Sequence, residues 1–313
     1  MSAQPPLLAF TCGDPSGVGP ETVLALLRKG ALSKVCVPVL VGERAVWERA
    51  GWRPGLAALA DTGLGLKPPA FGVPTADGGR ASFAAVRLAV QLACRGAAAG
   101  VVTAPISKLG WKLAGVPFRD HTDYLAAATG AVSRMILAAP GRNLWTITVT
   151  RHLPLAAVPR ALSRAETTAC ALALDQALRR LGVPRPRLGL CGLNPHAGEQ
   201  GLMGSEEGKV LVPAVRDAVK DGVRIEGPLP ADAAWRRHAE GGLQGLVCMY
   251  HDQAMAPLKA LAGLELVNWT VGIPLVRVSP GHGTASDLAG TGLADPRPTL
   301  AAARLAASLA GRG

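Results

Sequence analysis

The sequence predicts an α/β fold with a largely parallel sheet, and three observations support that prediction. Short apolar runs alternate with longer helical patterns along all 313 residues, which is typical of strand–helix repeats. Hydrophobic residues make up 49% of the chain and charged residues 18%, which excludes a disordered protein. Aromatic residues are only 4%, so the core must consist mainly of Ala, Leu and Val.

The elements can be assigned in chain order. Apolar runs predict eight strands: Leu7–Cys12, Val35–Val41, Gly100–Thr103, Asn143–Thr150, Arg187–Leu193, Gly245–Tyr250, Leu266–Val271 and Leu275–Val278. Helical patterns predict seven helices: Pro20–Lys29, Gly79–Arg95, Ser163–Leu181, Ser205–Lys220, Ala231–Glu240, Asp252–Ala262 and Pro298–Leu309. Gly30, Gly182 and Gly222 follow helix ends and suit left-handed caps, whereas Ser205 suits an N-cap.

Charge and cysteine content narrow the class of protein. The net charge of +11 comes from scattered Arg without a block of five like charges, which favours a solvated surface or steering of anionic ligands. The sequence has no basic stripe interleaved with aromatic residues, so it does not favour nucleic-acid binding. The six cysteines form no C-x-x-C pair, and the apolar runs around Cys12, Cys36, Cys191 and Cys248 predict that these four are small buried residues in a reducing compartment. The sequence contains no uncharged apolar run of 18 residues, so we expect no membrane span and a cytoplasmic protein.

Three of the six histidines share one placement. His152, His196 and His251 each stand just past the carboxyl end of a predicted strand. Ligands of open α/β sheets bind at that edge, and three imidazoles there could hold one divalent metal with positions open for substrate. A single histidine in a loop is more often simply hydrogen-bonded, so the hypothesis depends on the shared position.

Several charged residues accompany these histidines. Asp252 and Asp232 could orient the imidazoles as carboxylates behind the metal, although N-capping of the predicted helices explains them equally well. Lys259 and Arg277 are candidate partners for an anionic group, with a surface salt bridge as the alternative.

Three strand-to-helix junctions resemble phosphate-binding loops: Gly13–Glu21, Thr103–Lys108 and Ser279–Ala285. The first is rich in glycine but lacks the Gly-Lys-Ser/Thr ending of a P-loop and the third glycine of G-x-G-x-x-G. A tight turn is as good an interpretation as a ligand cradle for each of them.

Five motifs in register resemble the 4-hydroxythreonine-4-phosphate dehydrogenase family of pyridoxal phosphate biosynthesis. They are Gly13–Glu21, Leu193–Glu199, Gly227–Asp232, Met249–Gln253 and His282–Ala285. The match extends from about residue 7 to the C-terminus. Asp120 stands where the family pattern has glycine, and Pro280-Gly281 replaces the usual Val-Asp pair.

The resemblance implies an isocitrate/isopropylmalate dehydrogenase-like fold, with two α/β lobes and a cleft between them. The first lobe would comprise residues 1–125 and 280–313, with a cofactor loop at 279–286. The second lobe, residues 126–279, would carry the metal ligands and the interface of a homodimer with a shared active site.

The resemblance also implies residue roles. His152, His196 and His251 match the metal ligands, and the substrate-binding positions are His121, Thr122, Lys259, Asn268 and Arg277. The residues that match the adenosine-binding loop of the wider group are Gly281, His282, Gly283, Thr284 and Ala285. The expected catalytic residues are Lys259, Asp252 and Asp232, and the candidates for the group that removes the hydroxyl proton are Lys259 and Asp252.

The implied reaction is NAD(P)-dependent oxidation of 4-phosphooxy-L-threonine at C3, followed by decarboxylation to 3-amino-2-oxopropyl phosphate. The implied metal is Zn²⁺, Co²⁺, Mn²⁺ or Mg²⁺. Threonate or erythronate 4-phosphate is the alternative substrate. Other hypotheses are a three-histidine metal phosphohydrolase, a phosphate-binding or acyl-phosphate transfer protein, and, with low weight, a nucleic-acid-binding module.

Overall fold

The computed structural model describes residues 4–311 as alternating strands and helices. The strands are β1 (Leu7–Thr11), β2 (Val37–Gly42), β3 (Ala58–Asp61), β4 (Gly100–Thr103), β5 (Arg134–Ala139), β6 (Leu144–Thr148), β7 (Leu188–Cys191), β8 (Ile225–Leu229), β9 (Gly245–Cys248), β10 (Val267–Val271) and β11 (Arg277–Pro280). The predicted α/β class is therefore confirmed, and all eight predicted strands are present.

The helices are α1 (Gly19–Arg28), α2 (Arg44–Arg49), α3 (Ala76–Cys94), α4 (Lys108–Leu113), α5 (His121–Thr129), α6 (Val158–Ala161), α7 (Arg164–Arg180), α8 (Val212–Lys220), α9 (Ala231–Ala239), α10 (His251–Ala262) and α11 (Arg297–Ala310). Gly30, Gly182 and Gly222 have φ values of 62°, 89° and 84°, as predicted for residues that follow helix ends. The helical run begins directly after Ser205, whose carbonyl accepts Lys209 N–H at 2.9 Å, and its first turn, Glu207–Leu211, is π-helical and precedes α8. The start of this helix is therefore where the sequence predicts it, but no side chain caps it within the described residues.

The chain divides into two compact units, of which the first comprises Met1–Ser133 and Val267–Gly313 as far as these are described. Its strands lie in the order β3-β2-β1-β4-β11-β10, all parallel except β10, which pairs antiparallel with β11. Buried apolar residues of β1, α3 and α4 form its core, and the indole N–H of Trp111 donates to Ser82 Oγ at 2.9 Å.

The second unit comprises Arg134–Leu266, with strands in the order β5-β6-β9-β7-β8. Only β5 is antiparallel to its neighbour. Its core includes Leu246, Cys248 and Leu258, all fully buried. All six cysteines are free thiols, and Cys12, Cys36, Cys191 and Cys248 are buried as predicted, whereas Cys94 is exposed.

The boundary between the units differs from the expected lobes in two segments. Residues 126–133 and residues 267–279 were expected in the second lobe, but both segments are grouped with the first unit. For residues 267–279 the reason is strand pairing: β10 pairs with β11, and β11 pairs with β4 of the first unit. Asn268 and Arg277 therefore belong to the first unit. No helix within the described part of the chain is long and apolar enough to cross a membrane.

Candidate active site

A buried guanidinium is the central feature of the polar cluster in the first unit. Arg277 on β11 is 4% exposed, and its Nε and Nη2 donate to Thr103 Oγ1 at 3.0 and 2.6 Å. Nη1 donates to Thr270 Oγ1 at 3.0 Å. Within residues 4–311, no carboxylate forms an ion pair with this side chain. Buried charges are normally paired, so Arg277 is poised for an external anion.

Arg277 remains positively charged although its side chain is buried. Loss of solvent lowers the pKa of the guanidinium to about 10, and the nearby Asp120 carboxylate opposes that shift. The group is therefore protonated at neutral pH. Threonine hydroxyl oxygens accept three of its five N–H groups without neutralising it, which leaves the positive charge available to a phosphate.

His121 opens α5 and is 9% exposed, with its Nε2 buried and without a hydrogen-bond partner among the described residues. Burial lowers the pKa of the imidazole well below 6.5, and the positive charge of Arg277 lowers it further. The ring is therefore neutral at physiological pH. A neutral imidazole beside a buried guanidinium can donate to a phosphate oxygen without adding a second buried charge.

Asn268 lies on the same face of the sheet as Arg277. In the antiparallel pair of β10 and β11, Thr270 is opposite Arg277 and Asn268 is opposite Ser279, and side chains two residues apart share a face. Oδ1 of Asn268 is buried and has no hydrogen-bond partner within residues 4–311. Two buried polar atoms without hydrogen-bond partners among the described residues, together with one cation without a carboxylate partner there, mark this cluster as a candidate anion-binding site.

Thr122 follows His121, and Asp120 fixes the backbone of both residues. Oδ1 of Asp120 accepts the amide N–H groups of Thr122 and Asp123 at 2.9 and 3.2 Å, as an N-cap does. Oδ2 lies 3.7 Å from the Lys108 amine. The departure from glycine at position 120 therefore caps α5 and adds a carboxylate near Arg277.

Two of the three predicted metal ligands lie close together in the second unit. The ring centroids of His152 and His251 are 5.7 Å apart. Strand pairing explains this, because Val149 N donates to Cys248 O and Thr150 N donates to Met249 O beyond the ends of β6 and β9. Within residues 4–311, no cluster of three or more His, Cys, Asp or Glu side chains is arranged to hold a metal ion.

His196 follows β7, which neighbours β9, so it emerges at the same edge of the sheet. It begins a run of five residues, His196–Gln200, with φ between 40° and 76°. A left-handed backbone costs roughly 1–2 kcal/mol per non-glycine residue. Strain of this kind persists only where the surroundings impose it and is concentrated at functional sites.

Glu207 imposes that loop conformation. Its Oε1 accepts the backbone N–H groups of Leu193 and Asn194 at 2.9 and 2.8 Å, and its Oε2 accepts Asn194 Nδ2 at 3.0 Å. Gly198 is the residue that fits beside this carboxylate, because a Cβ there would lie 2.7 Å from Oε2.

Gln253 ties the strand-end segments of His196 and His251 to each other. Its Nε2 donates to Gly192 O at 2.7 Å, and its Oε1 accepts Met249 N–H at 2.6 Å. The side chain is 8% exposed, so water competes little for these bonds. Gln253 and Glu207 therefore fix the segments from which His196 and His251 project.

The acidic and basic candidates of the second unit are more exposed. Asp252 Oδ1 lies 2.7 Å from His251 Nδ1, which is the contact that an orienting carboxylate makes. Asp232 is exposed in the first turn of α9, and Lys259 is exposed on α10. Neither Asp232 nor Lys259 is brought into a hydrogen bond or ion pair with the histidines.

The expected cofactor loop, Gly281–Ala285, leaves the carboxyl end of β11. β1, β4 and β11 are neighbouring parallel strands, so the loops after all three meet at one edge of the first unit. Val18 N donates to Thr284 O at 3.0 Å, and Asp14 N donates to Pro105 O at 2.9 Å. The first of the three junctions that resembled phosphate-binding loops therefore contacts each of the other two.

The sequence and the fold resemble those of known proteins. The family described as pyridoxal phosphate biosynthetic protein PdxA matches residues 34–306. The chain belongs to the PdxA family. A relative from Desulfosudis oleivorans, named 4-hydroxythreonine-4-phosphate dehydrogenase, is 38% identical and covers 96% of this chain and 95% of its own length. The resemblance inferred from the five motifs is thereby confirmed, and the chain is a dehydrogenase of the PdxA type.

Two further comparisons delimit what the family does. A solved structure of 4-hydroxythreonine-4-phosphate dehydrogenase from Klebsiella pneumoniae is 35% identical with a TM-score of 0.87, covering 99% of each chain. A relative from Cupriavidus necator, named D-threonate 4-phosphate dehydrogenase, is 37% identical over 100% of this chain and 99% of its own. PdxA-family members of similar identity thus carry the names of two phosphorylated substrates.

Sequence reasoning missed the residues that support these clusters. Thr270 could have been found, since it follows Asn268 by two residues on a strand and so shares its face. Thr103 could not, because 174 residues separate it from Arg277. Glu207 and Gln253 gave no signal beyond their closeness to family motifs.

Proposed function

We propose that this protein oxidises the C3 hydroxyl of 4-phosphooxy-L-threonine with NAD⁺ or NADP⁺. The product, 2-amino-3-oxo-4-phosphooxybutanoate, loses CO₂ to give 3-amino-2-oxopropyl phosphate in pyridoxal 5′-phosphate biosynthesis. Membership of the PdxA family supports this proposal. The observation that carries it is the buried Arg277, which is charged at neutral pH and has no carboxylate partner within residues 4–311.

Arg277, His121 and Asn268 have complementary roles toward the substrate. Arg277 supplies the charge that binds the phosphate, and the neutral ring of His121 donates a hydrogen bond from its buried face. Asn268 and Thr122 offer uncharged polar groups to the remaining substrate atoms. Fixing the substrate at several points orients C3, and such positioning contributes at best about 7–11 kcal/mol to lowering a barrier.

A divalent metal fits the histidines of the second unit. Two imidazoles that held one ion through ring nitrogens, at about 2.0–2.1 Å each, would have to lie close together. The observed 5.7 Å between the ring centroids of His152 and His251 is compatible with that requirement. The contact of Asp252 with Nδ1 of His251 directs the ring's Nε2 toward the ion. His196 is the third ligand in this proposal.

A metal held by these histidines would supply Lewis-acid polarisation of the substrate hydroxyl, and a nicotinamide coenzyme would supply the hydride acceptor. The protein must then take up the hydroxyl proton. Asp252 and Lys259 are the proposed groups, and Asp232 belongs to the same proposed set. The loop of Gly281, His282, Gly283, Thr284 and Ala285 binds the adenosine part of the coenzyme.

The second candidate substrate is D-threonate or D-erythronate 4-phosphate. The Cupriavidus necator relative favours it, because that name shows that the family framework accommodates a hydroxyl where the threonine derivative has an amine. The phosphate-binding role of Arg277 is the same for both. A phosphohydrolase activity is disfavoured by the dehydrogenase family.

Absorbance at 340 nm tests the proposal. The purified protein is assayed with the 4-phosphates of hydroxythreonine, threonate and erythronate, each with NAD⁺ or NADP⁺, before and after chelation and with Zn²⁺, Co²⁺, Mn²⁺ or Mg²⁺ restored. We expect reduction of coenzyme with 4-phosphooxy-L-threonine, loss of the activity with chelator, and recovery with metal. Release of phosphate without reduction of coenzyme would contradict a dehydrogenase function.

We also propose that the second unit forms a homodimer interface. Leu153, Leu155 and Leu202 are 46%, 65% and 83% exposed, and each is close in sequence to His152 or His196. Large exposed apolar side chains on loops that follow a candidate site in sequence are typical of surfaces that another chain covers. A second copy seated there would shield the metal-binding histidines from water.

A further inference from the structure

The glycine-rich loop Gly13–Glu21 has a structural task that the proposed function does not use. Four of its backbone N–H groups are consumed inside the protein: Asp14 by Pro105 O, Ser16 by Asp14 Oδ1, Gly17 by Asp14 O and Val18 by Thr284 O. A phosphate cradle needs such groups free. The loop is therefore a support rather than a cradle.

The loop contacts the chain at two points, one within the proposed coenzyme loop at Thr284 and one five residues beyond that loop at Gly290. The first is Gly17 and Val18: Val18 N donates to Thr284 O at 3.0 Å, and a Cβ on Gly17 would lie 2.8 Å from the same oxygen. The backbones thus touch where any side chain would separate them. The close approach of the backbone at residues 17 and 18 to Thr284 O therefore requires glycine at position 17.

The second point is Glu21 in the first turn of α1. Its Oε2 accepts the backbone N–H of Gly290 at 3.0 Å, joining segments 269 residues apart. Gly290 has φ of 79°, and a Cβ there would lie 2.5 Å from the ring of Phe71. The carboxylate and the ring therefore hold the end of the coenzyme segment from two sides.

The partial burial of the Glu21 carboxylate has a desolvation penalty that the start of a helix alone does not explain. Its Oε1 is buried without a hydrogen-bond partner within residues 4–311. Burial of this oxygen disfavours the carboxylate, and an exposed acid would serve the helix dipole without that penalty. The contact with Gly290 gives the carboxylate a reason to be held inside.

We propose that Glu21 is a positioning residue for dinucleotide binding, which fixes residues 284–290 in the conformation that receives the coenzyme. The inference rests on the proposed function in one respect, namely that the loop at Gly281–Ala285 binds NAD(P). Val18 secures one end of the segment and Glu21 the other. Without Glu21, the segment must be ordered when the coenzyme binds, and that ordering weakens affinity.

Two substitutions separate the hydrogen bond from the charge. Glu21→Gln keeps an oxygen that can accept Gly290 N–H, whereas Glu21→Ala removes it. We expect Glu21→Ala to raise the dissociation constant of NADH at least tenfold, as befits loss of a hydrogen bond to a charged acceptor. Glu21→Gln should stay within about threefold of the original protein. The readout is NADH fluorescence without substrate.

Kinetics and hydrogen exchange show whether the effect is local. In Glu21→Ala, the KM for the coenzyme should rise with the KM for the phosphorylated substrate unchanged, and amide exchange should accelerate in residues 284–292. Glu48→Ala, an exposed glutamate on α2, is the matched control. Thr299→Val, which removes the buried contact of Thr299 with Thr22, controls for a general loss of stability.

Gly290→Ala provides a second route to the same segment, since its methyl group would collide with Phe71. It should weaken NADH binding even if Glu21→Ala does not fold. Unchanged affinity in both variants, with tight NADH binding by the original protein, would overturn the role of Glu21 alone. Absence of NADH binding by the original protein would overturn the proposed function and this inference with it.

Discussion

At the scale of single residues, burial decides what each titratable group can do. Arg277 keeps its charge because burial lowers its pKa only to about 10, whereas His121 loses its charge because burial and Arg277 both oppose protonation. The pair thus offers one cation and one neutral donor. A dianionic phosphate is well matched to such a pair, since two buried cations would repel each other without it.

The geometry of Arg277 predicts that its charge alone is insufficient. In Arg277→Lys, one ammonium cannot reach both Thr103 and Thr270 and still face a phosphate. We expect kcat/KM to fall at least 100-fold, chiefly through KM. Initial rates against substrate concentration measure this. Arg236→Lys, at an exposed pair with Glu240, is the control, and equal losses in both variants would refute the role of Arg277.

Two buried histidines predict how stability depends on pH. His238 accepts Trp145 N–H at Nε2 and contacts Leu243 O through Nδ1, so its ring is neutral with the proton on Nδ1. Burial lowers the pKa of His238 and of His121 below 6.5. Their unfolded forms therefore bind more protons, and stability present above pH 6.5 is lost as the pH falls.

We expect the free energy of unfolding to fall by up to about 1.4 kcal/mol per pH unit for each such histidine below pH 6.5. Urea unfolding at pH 7.5, 6.5 and 5.5 measures it. Proton NMR of the imidazoles should show both rings titrating below 6.5. A stability that rises on acidification, with His238 titrating at 6.5 or above, would contradict the assignment.

At the scale of elements, the strands were predictable and the loops were not. Apolar runs revealed all eight predicted strands, but β3, β5 and β8 were missed. β8 holds Pro228, and the pattern of β5 (Arg-Met-Ile-Leu-Ala-Ala) resembles a helix as much as a strand. The left-handed turn at His196–Gln200 was unpredictable, because Ala197, Glu199 and Gln200 have no local preference for it.

The supports of that turn give a prediction about metal binding. Glu207→Ala releases the amides of Leu193 and Asn194, so the strained turn relaxes and His196 moves away. We expect Co²⁺ affinity to fall 10–100-fold, as is usual when a residue behind a metal ligand is lost. Calorimetric titration and the visible spectrum of bound Co²⁺ report it.

Gln253→Ala should act in the same direction, because it unlinks Gly192 from Met249. Glu240→Ala, on the exposed end of α9, is the control and should bind Co²⁺ like the original protein. If Glu207→Ala and Gln253→Ala bind Co²⁺ normally while the original protein binds it tightly, the two residues do not position the ligands.

At the scale of the whole molecule, the sequence yielded the family and the class but not the division of the chain. Five motifs in register identified the PdxA family, because long motifs in fixed order rarely recur by chance. Residues 267–279 were misassigned since pairing of β11 with β4 joins segments 176 residues apart, as in Val278 and Val102. Local patterns carry no information about such pairing.

The homodimer is the prediction that belongs to this scale. Leu202 is 83% exposed on the loop held by Glu207, and a lysine there would bury a charge in any interface that covers it. We expect Leu202→Lys to shift the protein from dimer to monomer in light scattering, while near-ultraviolet circular dichroism is retained. Leu293→Lys, at a 77% exposed leucine of the first unit, should leave the dimer intact. If the second unit forms the interface, dissociation of the dimer will also weaken Co²⁺ binding by the proposed histidine ligands. The partner subunit would then no longer shield the segment that follows His196 from water. A dimer that survives Leu202→Lys and Leu155→Lys together would move the interface elsewhere on the molecule.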